Sequence, residues 1–241
     1  MKTVLITGCN RGLGKYLMET FVANQYRVIA CTRKPDEVFE SYCKGLSSDI
    51  LHCYFDLTDP DQINTALDAL EEKDIEIDVL VNNAGTNNSV KPLLHVEWED
   101  LEDTFRINYF APVIVAKRIS QIMMRQGHGS IVNVSSMMSY GHQPCGTCYD
   151  ASKAALNQFV HTASQELAPF GIRVNAVACG IMEAGMSANL PEKAMSKLLK
   201  TVAMKRPATF DDIAQMVIFL ASDNAAYITG AILPVDGGAV L

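Results

Sequence analysis

No run of about 18 or more apolar residues occurs without an interrupting charge, so the sequence predicts no membrane-spanning helix. Basic residues are in the minority: 20 Lys and Arg stand against 27 Asp and Glu, a net charge of −7. General nucleic-acid binding needs a basic surface, and this balance argues against it. The five histidines lack metal-ligand spacing, and the seven cysteines are an odd number without the pattern of a disulfide framework. We therefore expect a cytoplasmic protein with reduced thiols and no metal site.

The composition is that of an ordinary globular protein, with 49% hydrophobic and 20% charged residues. A chain of 241 residues can bury a sizeable core without disulfide bonds or metals. We find no internal repeat, no low-complexity tract and no linker rich in Pro, Gly or Ser. The sequence therefore favours one domain that spans residues 1–241.

Short apolar runs alternate with longer amphipathic segments along the whole chain. The predicted strands are Thr3–Thr7, Arg27–Cys31, Ile50–Phe55, Val79–Asn82, Ser130–Ser135, Arg173–Ala178 and Ala231–Val235. The predicted helices are Leu13–Asn24, Asp61–Lys73, Trp98–Arg125, Asp150–Ala168 and Asp211–Ser222. Because continuous apolar strands are typical of sheets buried on both faces, the alternation predicts a doubly wound α/β fold with a parallel sheet.

A glycine-rich segment, Thr7–Gly14, joins the first predicted strand to the first predicted helix. Three glycines at this point allow a tight turn and a close approach of the backbone to a pyrophosphate. The following helix offers free N–H groups and a partial positive charge to the same phosphates. The candidate phosphate-binding residues are Gly8, Asn10, Arg11, Gly12, Leu13 and Gly14.

The end of the second strand indicates which dinucleotide is bound. An acidic residue at this place would hold the ribose hydroxyls of NAD, but the sequence reads Cys31-Thr32-Arg33-Lys34. Arg33 and Lys34 can instead receive the 2′-phosphate of NADP, and Arg11 from the glycine loop can close on it from the other side, because a guanidinium pairs well with phosphate oxygens. The alternative is a solvated basic turn. Thr32 and Arg33 join the candidate cofactor residues, and NADP(H) is the predicted cofactor.

Tyr149 and Lys153 lie four residues apart on one face of a predicted helix. A lysine ammonium beside a tyrosine lowers the pKa of the phenol and makes it a better proton carrier. Ser136, after the fifth strand, could donate a hydrogen bond to a substrate carbonyl near Tyr149. Alone, a Tyr and a Lys at this spacing usually share a helix face by accident. The pair indicates a catalytic site here only because the glycine loop also predicts a bound nucleotide.

Taken together, these motifs resemble the short-chain dehydrogenase/reductase family over essentially the whole chain. The matching elements are Thr7–Gly14, Asp56-Leu57, Asn82–Gly85, Asn108, Ser136, Tyr149, Lys153, Thr229-Gly230 and Asp236–Gly238. The resemblance implies a single Rossmann-type domain with a seven-stranded parallel sheet that binds NADP(H). It also implies that the cofactor contacts Asp56, Leu57, Asn83, Ala84, Gly85, Tyr149, Lys153, Gly180 and Ile181.

The resemblance implies a catalytic set of four residues. Ser136 orients the carbonyl, Tyr149 gives its proton to the forming alkoxide, and Lys153 lowers the Tyr149 pKa and holds the nicotinamide ribose. Asn108 anchors a water that relays protons to Lys153. The implied activity is NADPH-dependent reduction of a ketone or 3-oxo group to a secondary alcohol, or the reverse. The alternative is a catalytically silent, NADP-bound regulatory or structural protein on the same fold.

Two positions depart from the family pattern after the sixth strand. Cys179 replaces the usual proline before Gly180, and Ala184 stands where a threonine often binds the cofactor. The nearby Ser187 is a possible substitute for that hydroxyl. The segment 180–206 is the expected substrate loop; its Met182, Met186, Met195 and Met204 indicate either a surface that repacks around a ligand or an extra core-packed helix.

The resemblance is nearest to 3-oxoacyl-thioester reductases, but two positions argue against a carrier-protein substrate. Gly127 and Phe170 align with places where reductases of that type tend to carry basic residues, although Arg125 could compensate. We therefore expect a small-molecule or coenzyme A-linked substrate. The family also implies a homodimer or homotetramer. A Cys145–Cys148 pair before Tyr149 could form a redox disulfide or half a zinc site, but substrate-lining thiols are the simpler interpretation.

Overall fold

A computed structural model describes residues 1–184 and 192–239 of the protein. Its seven parallel strands form one sheet in the order β3-β2-β1-β4-β5-β6-β7. The strands are β1 (Thr3–Thr7), β2 (Arg27–Thr32), β3 (Ile50–Tyr54), β4 (Val79–Asn82), β5 (Gly129–Ser136), β6 (Ile172–Cys179) and β7 (Ile232–Val235). The predicted doubly wound α/β fold is confirmed, with every predicted strand within two residues of its observed bounds.

Helices cover both faces of the sheet. They are α1 (Gly12–Ala23), α2 (Glu37–Leu46), α3 (Pro60–Glu71), α4 (Trp98–Phe105), α5 (Ala111–Gln126), α6 (Thr147–Leu167), α7 (Glu192–Leu199) and α8 (Phe210–Ala221). One hydrophobic core lies between the sheet and α1, α2 and α8; the other lies between the sheet and α3, α5 and α6. Within the described ranges, no helix is both long enough and apolar enough to span a membrane.

The continuous apolar strands follow from this two-sided burial. In β1, Val4 and Ile6 face one core while Leu5 faces the other, and all three are fully buried. Successive side chains of a strand point to opposite faces, so each face needs its own apolar residues.

The predicted helix Trp98–Arg125 is wrong in one respect. A π-helical turn at Arg106–Phe110 separates α4 from α5. Pro112, at the start of α5, has no N–H to donate to the fourth residue before it, and the wide turn accommodates this missing bond. The N–H of Ala111 donates instead to the carbonyl oxygen of Arg106, five residues earlier.

One observed helix, α2, was not predicted, and another, α7, lies in the segment for which an extra core-packed helix was one of two alternatives. Asp36 caps α2 by accepting hydrogen bonds from the N–H groups of Val38 and Phe39. In the expected substrate segment, α7 has no buried residue. The described part of this segment therefore forms a helix that is not packed into the core. Met186 and Ser187 lie outside the described residues.

Candidate active site

The candidate functional residues meet at one edge of the sheet because the strands that carry them are parallel. The glycine loop follows β1, Arg33 follows β2, Asp56 comes shortly after β3, and the Asn83–Gly85 segment follows β4. Ser136 ends β5 and lies directly opposite Cys179, the last residue of β6. Ligands of open α/β sheets bind at this carboxyl edge.

The glycine loop is shaped to let another group come close to its backbone. Gly8 and Gly12 adopt the left-handed conformation, with φ of +73° and +57°. At Gly14, a Cβ atom would lie 2.0 Å from the carbonyl oxygen of Gly8 and 2.5 Å from Nδ2 of Asn83. The turn before α1 can therefore be this tight only if residue 14 is glycine.

The loop after β4 locks the glycine loop in place. The Thr7 hydroxyl accepts hydrogen bonds from the N–H groups of Asn83 and Ala84, each at 3.1 Å. The Asn83 side chain donates in return to the carbonyl oxygens of Thr7, at 2.8 Å, and Gly8, at 3.3 Å. The two loops that the sequence assigned to the cofactor thus form one interlocked unit.

The start of α1 fits a phosphate group. Arg11 occupies the N-cap position in an extended conformation, and among the described residues no side chain caps the helix and no acid lies in its first turn. Asn10 and Arg11 are exposed, whereas Leu13 is buried and anchors the turn to the core. The free N–H groups and the unneutralised helix dipole suit an anion, and the glycine cradle provides room for a pyrophosphate.

Arg33 is held by Asp56. Its Nε lies 2.7 Å from Oδ2 of Asp56, while the rest of its side chain remains largely exposed. The other oxygen of Asp56 accepts hydrogen bonds from the N–H and hydroxyl of Thr58. Burial alone would raise the pKa of Asp56, but the Thr58 hydrogen bonds and the Arg33 charge outweigh it and lower the pKa below its usual value. Asp56 therefore fixes the inner part of the Arg33 guanidinium after β2, and the outer part of the side chain stays exposed.

The turn that carries Arg33 also buries its neighbour. Thr32 is 7% exposed, and its hydroxyl donates to the carbonyl oxygen of Lys34 at 3.2 Å. Leu57, next to Asp56, packs against the core on the α3 side.

Ser136 and Tyr149 lie close enough for the serine side chain to act on the phenol. Burial raises the pKa of Tyr149 to about 12, although the neighbouring Ser136 side chain opposes the rise. Ser136 is itself buried, and its Oγ accepts a hydrogen bond from the N–H of Met138 at 3.2 Å. The phenol is therefore protonated at neutral pH.

Lys153 lies one helical turn after Tyr149, with its Nζ 5.9 Å from the centre of the phenol ring. It is 3% exposed, and its Nζ donates a hydrogen bond to the carbonyl oxygen of Val134 at 2.8 Å. Burial lowers the pKa of Lys153 from its ordinary value of 10.5 to about 8, against an opposing effect of Cys179. The ammonium thus retains its charge at neutral pH but gives up its proton more easily than an exposed lysine.

Asn108 lies in the π-helical turn and is fully buried. Its Oδ1 accepts a hydrogen bond from the N–H of Thr86, and its Nδ2 donates to the carbonyl of Thr86 and to the hydroxyl of Ser152. The side chain thus ties the loop after β4 to the helix that carries Tyr149 and Lys153.

The departures after β6 leave the chain well anchored. Cys179 completes β6 in register with both Ser136 and Val235, and the N–H of Gly180 donates to the carbonyl oxygen of Val235. A Cβ at Gly180 would lie 2.5 Å from the Cα of Asp236, so this close approach of β6 and β7 requires glycine. Ile181 continues the segment through a hydrogen bond from the N–H of Ala208 to its carbonyl. The pairing of β6 with β7 restricts the backbone at this point, as a proline would.

The cysteine pair does not form a metal centre with its surroundings. Both thiols are free, Cys148 is 1% exposed, and burial raises the pKa of its thiol. Cys145 has a left-handed φ of +67°. In the described parts of the chain, no group of three or more His, Cys, Asp or Glu side chains could hold a metal ion.

Sequence reasoning missed two residues that stabilise the turn after β5: Ser139 within the turn and Asn157 on α6. Asn157 donates to the hydroxyl of Ser139, which in turn donates to the carbonyl of Ser136. The signal was present, because Asn157 follows Tyr149 and Lys153 by further steps of four on one helix face.

Comparison with known proteins places this arrangement in a family. A family model described as Enoyl-(Acyl carrier protein) reductase matches residues 8–240. Together with the full-length relatives, this match shows that the chain belongs to the short-chain dehydrogenase/reductase family.

Two curated relatives and one solved structure illustrate the similarity. The chain is 36% identical to the 3-oxoacyl-(acyl-carrier-protein) reductase FabG of Thermotoga maritima, with 100% of this chain and 98% of that protein covered. It is 36% identical to the 3alpha-hydroxysteroid dehydrogenase of Mediterraneibacter gnavus, with 99% and 96% covered. A tyrosine-to-phenylalanine variant of ElxO with NADPH bound superposes with a TM-score of 0.90 at 30% identity, over 98% of both chains. These relatives support an oxidoreductase that uses a nicotinamide cofactor.

Proposed function

We propose that the protein is an NADP(H)-dependent oxidoreductase that reduces a ketone or 3-oxo group to a secondary alcohol, or catalyses the reverse. The observation that carries the proposal is the meeting of Ser136, Tyr149 and Lys153 at the same sheet edge as the interlocked glycine loop. The candidate catalytic side chains and the glycine loop then lie at one edge of the sheet, as hydride transfer between a bound cofactor and a carbonyl substrate requires.

The proposed roles follow from protonation and position. The bound cofactor supplies the hydride when a carbonyl is reduced. Ser136 donates a hydrogen bond to the carbonyl oxygen, and Tyr149 transfers its phenolic proton to that oxygen as negative charge develops on it. Lys153, charged at neutral pH, stabilises the phenolate that remains and also holds the nicotinamide ribose. General acid catalysis of this kind contributes about 10²–10⁴-fold.

We propose that Asn108 binds a water molecule that relays protons between Lys153 and solvent. Its side-chain amide already pairs with Thr86 and Ser152, so we assign the water to its backbone carbonyl in the π-helical turn. Such a turn shifts the pattern of helical hydrogen bonds and is frequent at functional sites.

NADP(H) is proposed over NAD(H) because of the charge at the end of β2. Arg33 presents its outer nitrogens while Asp56 fixes its Nε, and Arg11 is exposed at the start of α1. The proposed cofactor contacts are the residues that the sequence motifs and the family resemblance indicate: Gly8, Asn10, Arg11, Gly12, Leu13, Gly14, Thr32, Arg33, Asp56, Leu57, Asn83, Ala84, Gly85, Tyr149, Lys153, Gly180 and Ile181.

A small-molecule or coenzyme A-linked substrate is proposed over a carrier protein. Arg125, the residue that could compensate for Gly127 and Phe170, has its guanidinium 2.6 Å from Glu71. An arginine already paired with a carboxylate offers little net charge to an acidic protein partner.

The test is NADPH oxidation, followed by absorbance, against a panel of ketones, 3-oxoacyl coenzyme A esters and 3-oxoacyl carrier-protein thioesters. Wild type should turn over at least one of the first two classes. Tyr149→Phe should lower kcat by several orders of magnitude while NADPH affinity, measured by fluorescence titration, stays within about threefold, because only the proton donor is removed. Near-normal turnover by Tyr149→Phe, or binding of NADPH by wild type without turnover of any substrate, would overturn the proposal.

A further inference from the structure

Asn157 connects both sides of the turn that presents Ser136. Its Oδ1 accepts a hydrogen bond from the hydroxyl of Ser135 at 2.7 Å. Its Nδ2 donates to the hydroxyl of Ser139, also at 2.7 Å. Ser135 precedes Ser136 in β5, and Ser139 ends the short 3₁₀ turn Met137–Ser139 that follows it.

The chain of hydrogen bonds ends on Ser136 itself. The hydroxyl of Ser139 donates to the carbonyl oxygen of Ser136 at 2.5 Å, so the donor–acceptor sequence runs from Asn157 through Ser139 to the Ser136 peptide. The hydroxyl of Ser136 in turn accepts the N–H of Met138 at 3.2 Å. Backbone and side chain of Ser136 are therefore both held within the same turn.

The helix that supplies Asn157 also supplies the rest of the set. Tyr149, Lys153 and Asn157 follow one another at intervals of four residues in α6, and such positions lie on one face of a helix. Lys153 contacts β5 through the carbonyl oxygen of Val134, and Asn157 contacts it one turn later through Ser135. One helix face thus positions the proton donor, the cation and the turn that carries the serine relative to one another.

We propose that Asn157 is a positioning residue that acts through Ser136, with the hydroxyl of Ser139 as its intermediary. The expected effect on kcat rests on the proposed function, whereas the effect on the turn itself does not. Catalysis is sensitive to this kind of support, because a displacement of about 1 Å at a reacting group can cost about 10²-fold in rate. The cofactor cradle lies on other loops and should not sense the change.

The variants are Asn157→Ala and Ser139→Ala, each alone and combined with Ser136→Ala. The neighbouring amide Gln158 is exposed on the same helix, and Gln158→Ala is the matched control. Each variant is measured for kcat and KM with a carbonyl substrate, for NADPH affinity and for thermal midpoint. Amide exchange of Met138, followed by NMR, reports the placement of the Ser136 hydroxyl without any turnover.

Asn157→Ala and Ser139→Ala should each lower kcat by about 10- to 100-fold and accelerate Met138 exchange, with NADPH affinity within about twofold of wild type. In the Ser136→Ala background, neither should lower kcat by more than about twofold further, because the residue they act through is gone. Gln158→Ala should match wild type.

Three results would overturn the inference: full additivity with Ser136→Ala, unchanged Met138 exchange in both variants, or a fall in NADPH affinity as large as the fall in kcat. If wild type turns over no carbonyl, the proposed function fails. Met138 exchange then still decides whether Asn157 positions the turn.

Discussion

Replacement of the buried Lys153 by Met should make the protein more stable and inactive at the same time. The side chain is 3% exposed, and burial lowers its pKa from 10.5 to about 8. At 1.36 kcal/mol per pKa unit, holding the charged form in the folded protein costs about 3 kcal/mol near neutral pH. The hydrogen bond to Val134 returns about 1 kcal/mol. Methionine has a similar length and no charge, so the free energy of unfolding should rise by about 2 kcal/mol at pH 7.

The gain should depend on pH in a defined direction. Between about pH 8 and pH 10.5 the unfolded wild-type chain keeps the Lys153 proton that the folded chain releases. The unfolded state then binds more protons, so the stability of wild type rises with pH relative to that of Lys153→Met. The groups that face this ammonium are Tyr149 from α6 and Cys179 from β6. The advantage of the variant should therefore be full below about pH 8, and above about pH 10.5 it should give way to a deficit of about 1 kcal/mol, because only the lost hydrogen bond to Val134 then remains.

The assay is urea unfolding of wild type and Lys153→Met at pH 7, 9 and 10.5, with kcat and NADPH affinity measured at pH 7. The exposed Lys117 provides the matched control, and Lys117→Met should show no pH-dependent difference of this size. Turnover and NADPH affinity of Lys153→Met should both fall, since we propose that the same ammonium stabilises the Tyr149 phenolate and holds the nicotinamide ribose. Lower stability of Lys153→Met at pH 7, or a stability difference that does not change with pH, would refute the reasoning.

Three further outcomes are expected. Arg33→Ala should weaken NADPH binding by about 10- to 100-fold and leave NADH nearly unaffected, because only NADPH carries a phosphate there; equal weakening of both in fluorescence titrations would assign Arg33 to a solvated turn. Gly14→Ala should abolish NADPH binding and destabilise the fold by about 1–3 kcal/mol, since its Cβ would lie 2.0 Å from a carbonyl oxygen. Gly45→Ala, where a Cβ meets nothing within 4 Å, is the control for Gly14→Ala, and retention of NADPH binding by Gly14→Ala would contradict the prediction. Diamide should leave turnover within about twofold, because Cys148 is buried with a raised pKa; reversible inhibition with loss of the Cys145 and Cys148 thiols would show a redox switch instead.

The sequence predicted those parts of the protein that depend on local pattern. Strands such as Val79–Asn82 were readable because burial on both faces forces a continuous apolar run. The glycine loop could be predicted because a tight turn before a helix needs glycine at fixed positions. The Tyr149–Lys153 pair was readable because helical spacing alone puts both residues on one face.

The parts that escaped prediction depend on residues far apart in the chain. The pairing of Arg33 with Asp56 requires that β2 and β3 lie side by side in register. The role of Asn157 depends on how α6 packs against the turn after β5. Periodicity carries no information about contacts between such distant residues, so only the folded structure reveals them. The π-helical turn at Arg106–Phe110 is an exception with a local cause: Pro112 stands in the sequence, but the helical pattern continues across it and so predicted one unbroken helix.

The lock between the glycine loop and the loop after β4 also constrains the order of events during synthesis on the ribosome. Thr7 is held by Asn83, which lies 76 residues further along the chain. A nascent chain that has emerged only as far as α1 therefore has the glycines but not the groups that fix them. Contacts this distant in sequence form late, because the intervening chain must first lose its freedom. Cofactor binding can consequently stabilise only those chains in which β4 has already paired with β1. A higher cofactor concentration should therefore stabilise late folding intermediates but not early ones.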